Sequence, residues 1–375
     1  MDVFYEMTQD GLTVEKGKLA NVVASPHSDA EVELKLQVPN TGKIYLKLIY
    51  RLKKEMPLLE QGYELGFDEM KLANEDDRNR QAVKWLEQEK VIGTIAVKEN
   101  DKQLVLQAKD FTYVLDKRTG LFEDMQFAGR SYINHPMELN IWRAPTDNDM
   151  YIKLEWEKAH YDAAYTRAYR IEVLQNKHGV LIMEHLAVVA DTVQKILDVE
   201  MTWKINEDGK IEAAVKDKEF PDLPRFGIRM FLNKKMDEIT YFGMGPQESY
   251  RDKHQASCHG LFRSKVAQMH EDYIRPQENG SHYDCDYVEI TNGQCGIAAV
   301  SKNPFSFNAS VYTQEELERV SHNYELKESD STVFCMDYAM NGIGSNSCGP
   351  DVMDKYRFDE EAFQFQFELI PFVKG

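Results

Sequence analysis

Apolar and polar positions alternate with a period of two along most of the chain, and the alternation is already running at residue 3. VFYEMTQDGLTVEKGKL, AEVELKLQVP, KIYLKLIYRLK and YELGFDEMKL read as strands, separated by turn chemistry at Asp10-Gly11 and Asn40-Thr41-Gly42. Four or five strands are few for a closed sandwich. The chain is therefore expected to begin inside a β-sandwich whose first strands are missing or lie on another chain. Residues 73–92, ANEDDRNRQAVKWLEQEKVI, break the pattern: they are charged, poor in β-branched residues, and read as a linker with one short helix. Expected boundaries are a partial β-sandwich over 1–75, a linker over 76–92 and a second domain over 93–375.

From residue 93 the period of two resumes. TIAVKENDKQLVLQAKDFTYVLDKRTGLFEDMQF holds four candidate strands, and a long series follows, ending in STVFCMDYAM and FQFQFELIPF. Helix signals are sparse: Thr313–Glu316 reads as a capping box opening a short helix, and LEWEKAHYDAA as a second short one. So many short strands predict an all-β chain whose larger part is one antiparallel two-sheet sandwich. Glycine-rich phosphate-binding loops in a strand-to-helix context are absent.

A formal charge of −18 argues against binding to a phosphate backbone and leaves a neutral or small ligand as the expected partner. The five cysteines include no C-x-x-C pair, which points to a reducing compartment. MDVFYEMTQDG has neither a basic start nor an apolar core, and no run reaches membrane-spanning length, so the cytoplasm is the expected location.

Four stretches concentrate polar side chains among turn formers. In WRAPTDND, Pro145 fixes its φ, Asp147, Asn148 and Asp149 favour a turn that caps the helix after it, and Arg143 has carboxylates within reach. A braced turn and a polar wall of a sugar pocket are both open readings. YFGMGPQESYRDK carries Glu248, Tyr250 and Asp252 behind a Gly-Pro turn, and reads as a buried turn held by ion pairs. YIRPQENGSHYD places Glu278, Asn279 and Gly280 in a loop with freedom at Gly280. NGIGSNSCGPD frames Ser347 and Cys348 with glycines, and no base stands beside Cys348 in sequence. The ten histidines are scattered without metal-ligand spacing. A self-contained glycosidase needs two carboxylates across a cleft, and spacing cannot select such a pair among 63 acidic residues.

Taken in order, RAPTDND (143–149), FGMGPQESYRD (242–252), ENG (278–280), FSFNASVYTQEEL (305–317) and GIGSNSCGP (342–350) resemble the C-terminal part of the large β-galactosidases of glycoside hydrolase family 2, and the small subunit of their two-chain forms. The resemblance implies an immunoglobulin-like domain followed by an antiparallel supersandwich of galactose mutarotase-like fold. It also implies retaining hydrolysis of terminal β-D-galactosides such as lactose. In the family the catalytic glutamates, and chiefly the magnesium and sodium ligands, lie in a preceding TIM barrel. This chain has no βαβα alternation, so no catalytic residue, metal ligand or cofactor is assigned to it, and a barrel domain or large subunit is its expected partner within an oligomer. By the same resemblance Glu278, Asn279 and Gly280 match a mobile active-site loop, and Ser347 and Cys348 the segment that brings an aromatic platform to the sugar. Arg143, Asp147, Asn148, Asp149, Glu248, Tyr250 and Asp252 form a structural signature near that site. Cys348 stands where some members carry tryptophan, so a stack worth on the order of 1 kcal/mol is missing. Two alternatives stand beside this reading: a non-catalytic carbohydrate-binding module, and a stand-alone epimerase-like enzyme drawing its acid and base from a glutamate and His254, His259, His270 or His282.

Overall fold

In the computed structural model, residues 1–20, 22–87, 94–176, 179–191, 193–205, 210–216 and 222–374 are described. The expected boundary at 92 falls outside them. Strands dominate, and all ladders between named strands are antiparallel. Among the described residues no helix is long and apolar enough to cross a membrane.

The first strands form one four-stranded sheet, in the order Leu12–Leu19, Asp2–Gln9, Ile44–Arg51, Glu64–Leu72. AEVELKLQVP, expected to be a strand, joins no ladder. It keeps the strand period, and Leu34, Leu36 and Val38 pack on Met7, Ile44 and Leu46, so side-chain burial holds it over one face of the sheet without backbone pairing. The opposite face turns Tyr45 and Lys47 toward the rest of the molecule: Tyr45 joins an apolar cluster with Phe242 and Tyr287, and the Lys47 amine lies 3.7 Å from the Cys258 thiol.

The charged linker contains the helix Arg80–Leu86, capped by the Asn79 side chain, which accepts from the Gln81 and Ala82 amides. Ala82 is buried against Tyr45, Val300 and Ile370, and the Trp85 indole N–H donates to Glu289 at 2.9 Å. This short helix is a wedge between the first sheet and the second domain.

Beyond it lie two more sheets. The smaller runs Ala96–Glu99, Gln103–Gln107, Phe111–Asp116, Leu121–Phe127, Arg130–Ser131 in sequence order, so the four strands predicted over 94–127 are present as simple hairpins. The larger has twelve strands among the described residues. Leu104, Leu106, Tyr113 and Leu115 of the smaller sheet share one core with Ile182, Leu186, Val199, Trp203 and Phe365 of the larger, and the Trp203 ring meets Phe122 edge-on at 4.6 Å. The larger sheet pivots on Cys295–Ser310. This strand was expected as two, GIAAVS and FSFNASVY; its first half pairs with Phe363–Val373, its second with Ser331–Met340. Ser331–Met340 in turn pairs with Arg225–Asn233, and that with Ile133–Asn140, which the pattern of the sequence did not reveal.

Candidate functional site

Arg143 follows the strand Ile133–Asn140 and has no exposed surface. Its guanidinium forks onto Asp149, from Nε at 3.1 Å and Nη2 at 2.7 Å, and donates to the carbonyls of Asn341 at 2.6 Å and Gly342 at 3.1 Å. Asp149 closes a 3-10 turn, Asp147–Asp149: its carboxylate accepts from the Thr146 amide at 2.9 Å and hydroxyl at 3.0 Å. Of the two sequence readings of WRAPTDND, the braced turn is what the side chains build, but the cap differs from expectation. The helix Ile152–Lys158 starts from Tyr151 with no side-chain cap, and the capping pair is Thr146 with Asp149 on the turn before it. Asn148 bridges onward, donating to the Gly344 carbonyl at 2.8 Å and accepting from the Ser347 hydroxyl at 2.7 Å and amide at 3.2 Å.

The remaining motifs close a ring. Asp252 accepts from the amides of Ile343 at 2.9 Å and Gly344 at 2.8 Å, which ties YRD to GIGSNSCGP. Glu248 accepts from the Gly280 amide at 3.0 Å, which ties QES to ENG. The Glu278 amide donates to the Ala144 carbonyl at 3.0 Å, and the Asp147 amide to the Gln277 side chain at 3.1 Å, which returns to RAPTDND. Stretches up to about 200 residues apart thus hold one another in a closed cycle of hydrogen bonds; the Asn148–Ser347 link alone spans 199 residues.

The charges inside this ring are paired. Arg225 is fully buried and donates to Asp337 through Nε at 3.1 Å and through Nη2, and to Glu278 through Nη1 at 3.0 Å. Burial pushes the carboxyls of Glu278 and Asp337 above their ordinary range, and the guanidinium pulls them part of the way back. Glu248 goes the other way: burial raises it, but donors on Lys253, Tyr273 and Gly280 outweigh that and hold it below its usual value. Tyr250 is buried with its hydroxyl on Glu248 at 3.1 Å.

ENG is consequently no free loop. Glu278 and Asn279 are buried at 4% and 5% exposure. Asn279 accepts from the Glu271 amide, donates to the Gln277 carbonyl and takes the Asn308 amide on its own carbonyl. Gly280 has φ +68, and a Cβ there would stand 2.3 Å from the Met269 carbonyl oxygen. Ser281–Asp284, expected in the same loop, already belong to the strand Ser281–Thr291. Ser347 and Cys348, by contrast, are exposed at the tip of the last motif, where the Cys348 amide rests on the Ser345 carbonyl. The site residues thus divide into a buried frame and an exposed rim. Arg225 and Asp337 are central to the frame and were missed, because each sits in an ordinary-looking strand 112 residues from the other.

The four histidines of the epimerase alternative do different things. His282 is buried, beside the Met244 carbonyl and the Tyr241 hydroxyl, and burial lowers it to about 4. His254 meets the Tyr250 carbonyl, His270 lies edge-on to Tyr312, and His259 is bonded to two carboxylates. Among the described residues no group of three or more His, Cys, Asp or Glu side chains is arranged to hold a metal ion.

A profile of the β-galactosidase small chain matches residues 107–369, which takes in every strand and loop of the ring. The chain belongs to the β-galactosidase small-chain family. A second profile, of β-galactosidase domain 4, matches residues 1–73, the first sheet. Among curated proteins, a β-galactosidase of Actinobacillus pleuropneumoniae is 41% identical over 373 residues, covering 99% of this chain and 36% of the relative. A β-galactosidase of Staphylococcus xylosus is 32% identical, with 96% and 36% covered. The chain therefore spans about a third of the length of these relatives. Solved structures were matched as well, the following two among them. A galactose mutarotase-like protein of Lactobacillus casei gives a TM-score of 0.39 at 10% identity, covering 74% of this chain and all of the other. The galactose 1-epimerase of Lactobacillus acidophilus gives 0.42 at 6%, covering 76% and 100%.

Proposed function

We propose that this small-chain domain acts as the non-catalytic wall of a β-galactosidase active site, completed by a catalytic barrel on another polypeptide or domain. The reaction would be retaining hydrolysis of terminal β-D-galactosides such as lactose, with both catalytic glutamates and the magnesium and sodium ions on the barrel side. The observation that carries this reading is the closed ring of the signature motifs. It spends buried charges and long-range hydrogen bonds to fix loops whose outer residues, Asp147 and Ser345 to Pro350, remain largely exposed. A wall that orients a sugar contributes to rate only if it is rigid, since misplacement by even 1 Å costs orientation.

The rim also supports a covered surface. Met150, Tyr151 and Leu154 follow directly on TDND, Ile274 leads into the ENG segment, and Met353 follows GIGSNSCGP; all expose large apolar side chains, Ile274 to 78%. Tyr324, 80% exposed, neighbours Ile274 through the Asn323 amide. Scattered single apolar residues need no cause, but a set lining one braced loop system fits a protein partner. Cys348 offers no aromatic face, so sugar contact here would rest on hydroxyl and backbone groups.

The test is hydrolysis of a chromogenic β-galactoside by this chain alone, by a barrel-bearing chain alone, and by the two mixed. Turnover confined to the mixture is expected. Turnover by this chain alone would overturn the proposal; galactose binding without turnover in any mixture would replace it with a carbohydrate-binding module.

A further inference from the structure

The two parts of the chain meet at a partly buried histidine. His259 lies on the strand Cys258–Lys265 of the larger sheet. Its Nδ1 is 2.7 Å from Glu69 on the first sheet, and its Nε2 is 2.7 Å from Asp284 on the strand Ser281–Thr291. Its backbone amide adds bonds of 3.0 Å to both Glu69 oxygens. The ring is stacked on Tyr45 of the first sheet, centroids 4.2 Å apart and planes within 9°. A neutral imidazole has one N–H and one lone pair; two carboxylates on its two nitrogens require both to be donors, hence an imidazolium.

The backbone is bent to allow this. Pairing between Ser281–Thr291 and Cys295–Ser310 slips on either side of Cys285, and Asp284 takes a left-handed φ of 53. Such a bulge re-aims one side chain out of the ladder, and aspartate tolerates the left-handed region better than most residues. Here it delivers the Asp284 carboxylate to His259. A second ion pair, Lys43 to Asp286 at 2.7 Å, crosses the same junction two residues along.

We propose that the junction between the first sheet and the larger sheet is a proton-dependent joint: the His259 imidazolium clamps Glu69 to Asp284, and loss of one of its protons to solvent releases the first sheet. The charged and titratable groups facing it are Glu69, Lys71 and Asp77 from the last strand of the first sheet and the segment after it. Tyr45, Lys43 and Lys47 face it from the strand Ile44–Arg51 and the residue before it, Asp284 and Asp286 from its neighbouring strand, and Cys258 from its own. Burial alone would lower the ring's affinity for its proton; the bonds from Asp284 and Glu69 reverse this and raise it to about 9. With the native pKa above the unfolded value of 6.5, the clamp is fully present below pH 6.5 and is lost as pH rises through 9.

The experiment uses the full chain with histidines labelled at Cε1 for NMR, and spin labels at the exposed Cys348 and at a Glu60→Cys substitution on an exposed turn of the first sheet. The expected result is a His259 resonance titrating near pH 9, and a label-to-label distance distribution that is narrow at pH 7 and broadens through the same midpoint. His259→Gln, which keeps one donor and cannot titrate, should give the same distribution at pH 7 and pH 10; this control separates the ring from Lys43 and Lys71. Glu69→Gln should lower the histidine midpoint by about one pH unit and move the broadening down with it. A midpoint at or below 6.5, a distribution unchanged while the ring loses its proton, or broadening that persists in His259→Gln would each overturn the proposal.

Discussion

Replacing Arg225 by methionine tests whether the frame beneath the exposed rim is electrostatic. The side chain keeps an apolar stem but is shorter and loses three hydrogen bonds, two to Asp337 and one to Glu278. Asp337, which has no exposed surface, is then buried without the cation that paired it, and Glu278 keeps only the through-space pull of Arg143. Breaking one side of a buried charge pair costs ~3–5 kcal/mol, mostly as the desolvation of the charge left behind. The sign of the pH dependence follows. Each carboxyl already sits above its unfolded value of 3.8 or 4.5 in the native protein because of burial, and without the guanidinium each rises further. A carboxyl with a raised native pKa costs stability above its unfolded pKa, increasingly as pH rises. Urea unfolding of wild type and Arg225→Met, followed by tryptophan fluorescence at pH 5 and pH 7, should show a loss of ~3–5 kcal/mol at pH 7 and a smaller loss at pH 5. The double change Arg225→Met with Asp337→Leu should recover part of it, since an apolar replacement leaves no orphaned charge at that position. A loss under ~1 kcal/mol, within the range of an exposed pair, or an equal loss at both pH values, would refute the view that Arg225 neutralises two buried carboxylates.

Three further changes have defined outcomes. Asn148→Ala removes the bridge to Gly344 and Ser347, so amide exchange at Ser347 should accelerate about 5- to 10-fold, on the ~1 kcal/mol scale of a hydrogen bond, while the melting temperature barely moves. Gly280→Ala must place a Cβ at 2.3 Å from the Met269 carbonyl at a φ of +68; thermal unfolding should show a loss of ~1–3 kcal/mol. Glu184, 2% exposed, accepts from the Trp203 indole, and burial holds its carboxyl well above 4.5. Its native pKa being raised, it costs stability as pH climbs above 4.5, so Glu184→Gln should gain on the wild type between pH 5 and pH 8 in denaturant titrations.

Element type was legible because it is local. The period of two placed the hairpins over 94–127, and Thr313 caps its short helix through the Glu316 amide as the TQEE pattern requires. Ladder membership was not legible. AEVELKLQVP alternates as a strand does, yet its partner is a sheet face, and no sequence pattern distinguishes those two uses of the same period. Ile133–Asn140, INHPMELN, carries a proline and little alternation, and is a strand because Arg225–Asn233 pairs beside it. At the site, the residue types of all four motifs drew notice, and the resemblance supplied their order. Their division into a buried frame and an exposed rim depends on partners such as Arg225, which only the folded chain brings to Glu278.

The ring also sets an order of events in folding. Arg143 cannot place its guanidinium until the carbonyls of Asn341 and Gly342 arrive, 198 and 199 residues later. Contacts of such separation form late, after the loop-closure entropy between them has been met by nearer pairings. Nascent chains released before residue 342 would therefore hold hairpins and much of the core while the rim dangles unanchored. In a chain made from its N-terminus onward, the exposed rim is therefore braced only after residue 342 has been added, later than most of the strands on which it rests.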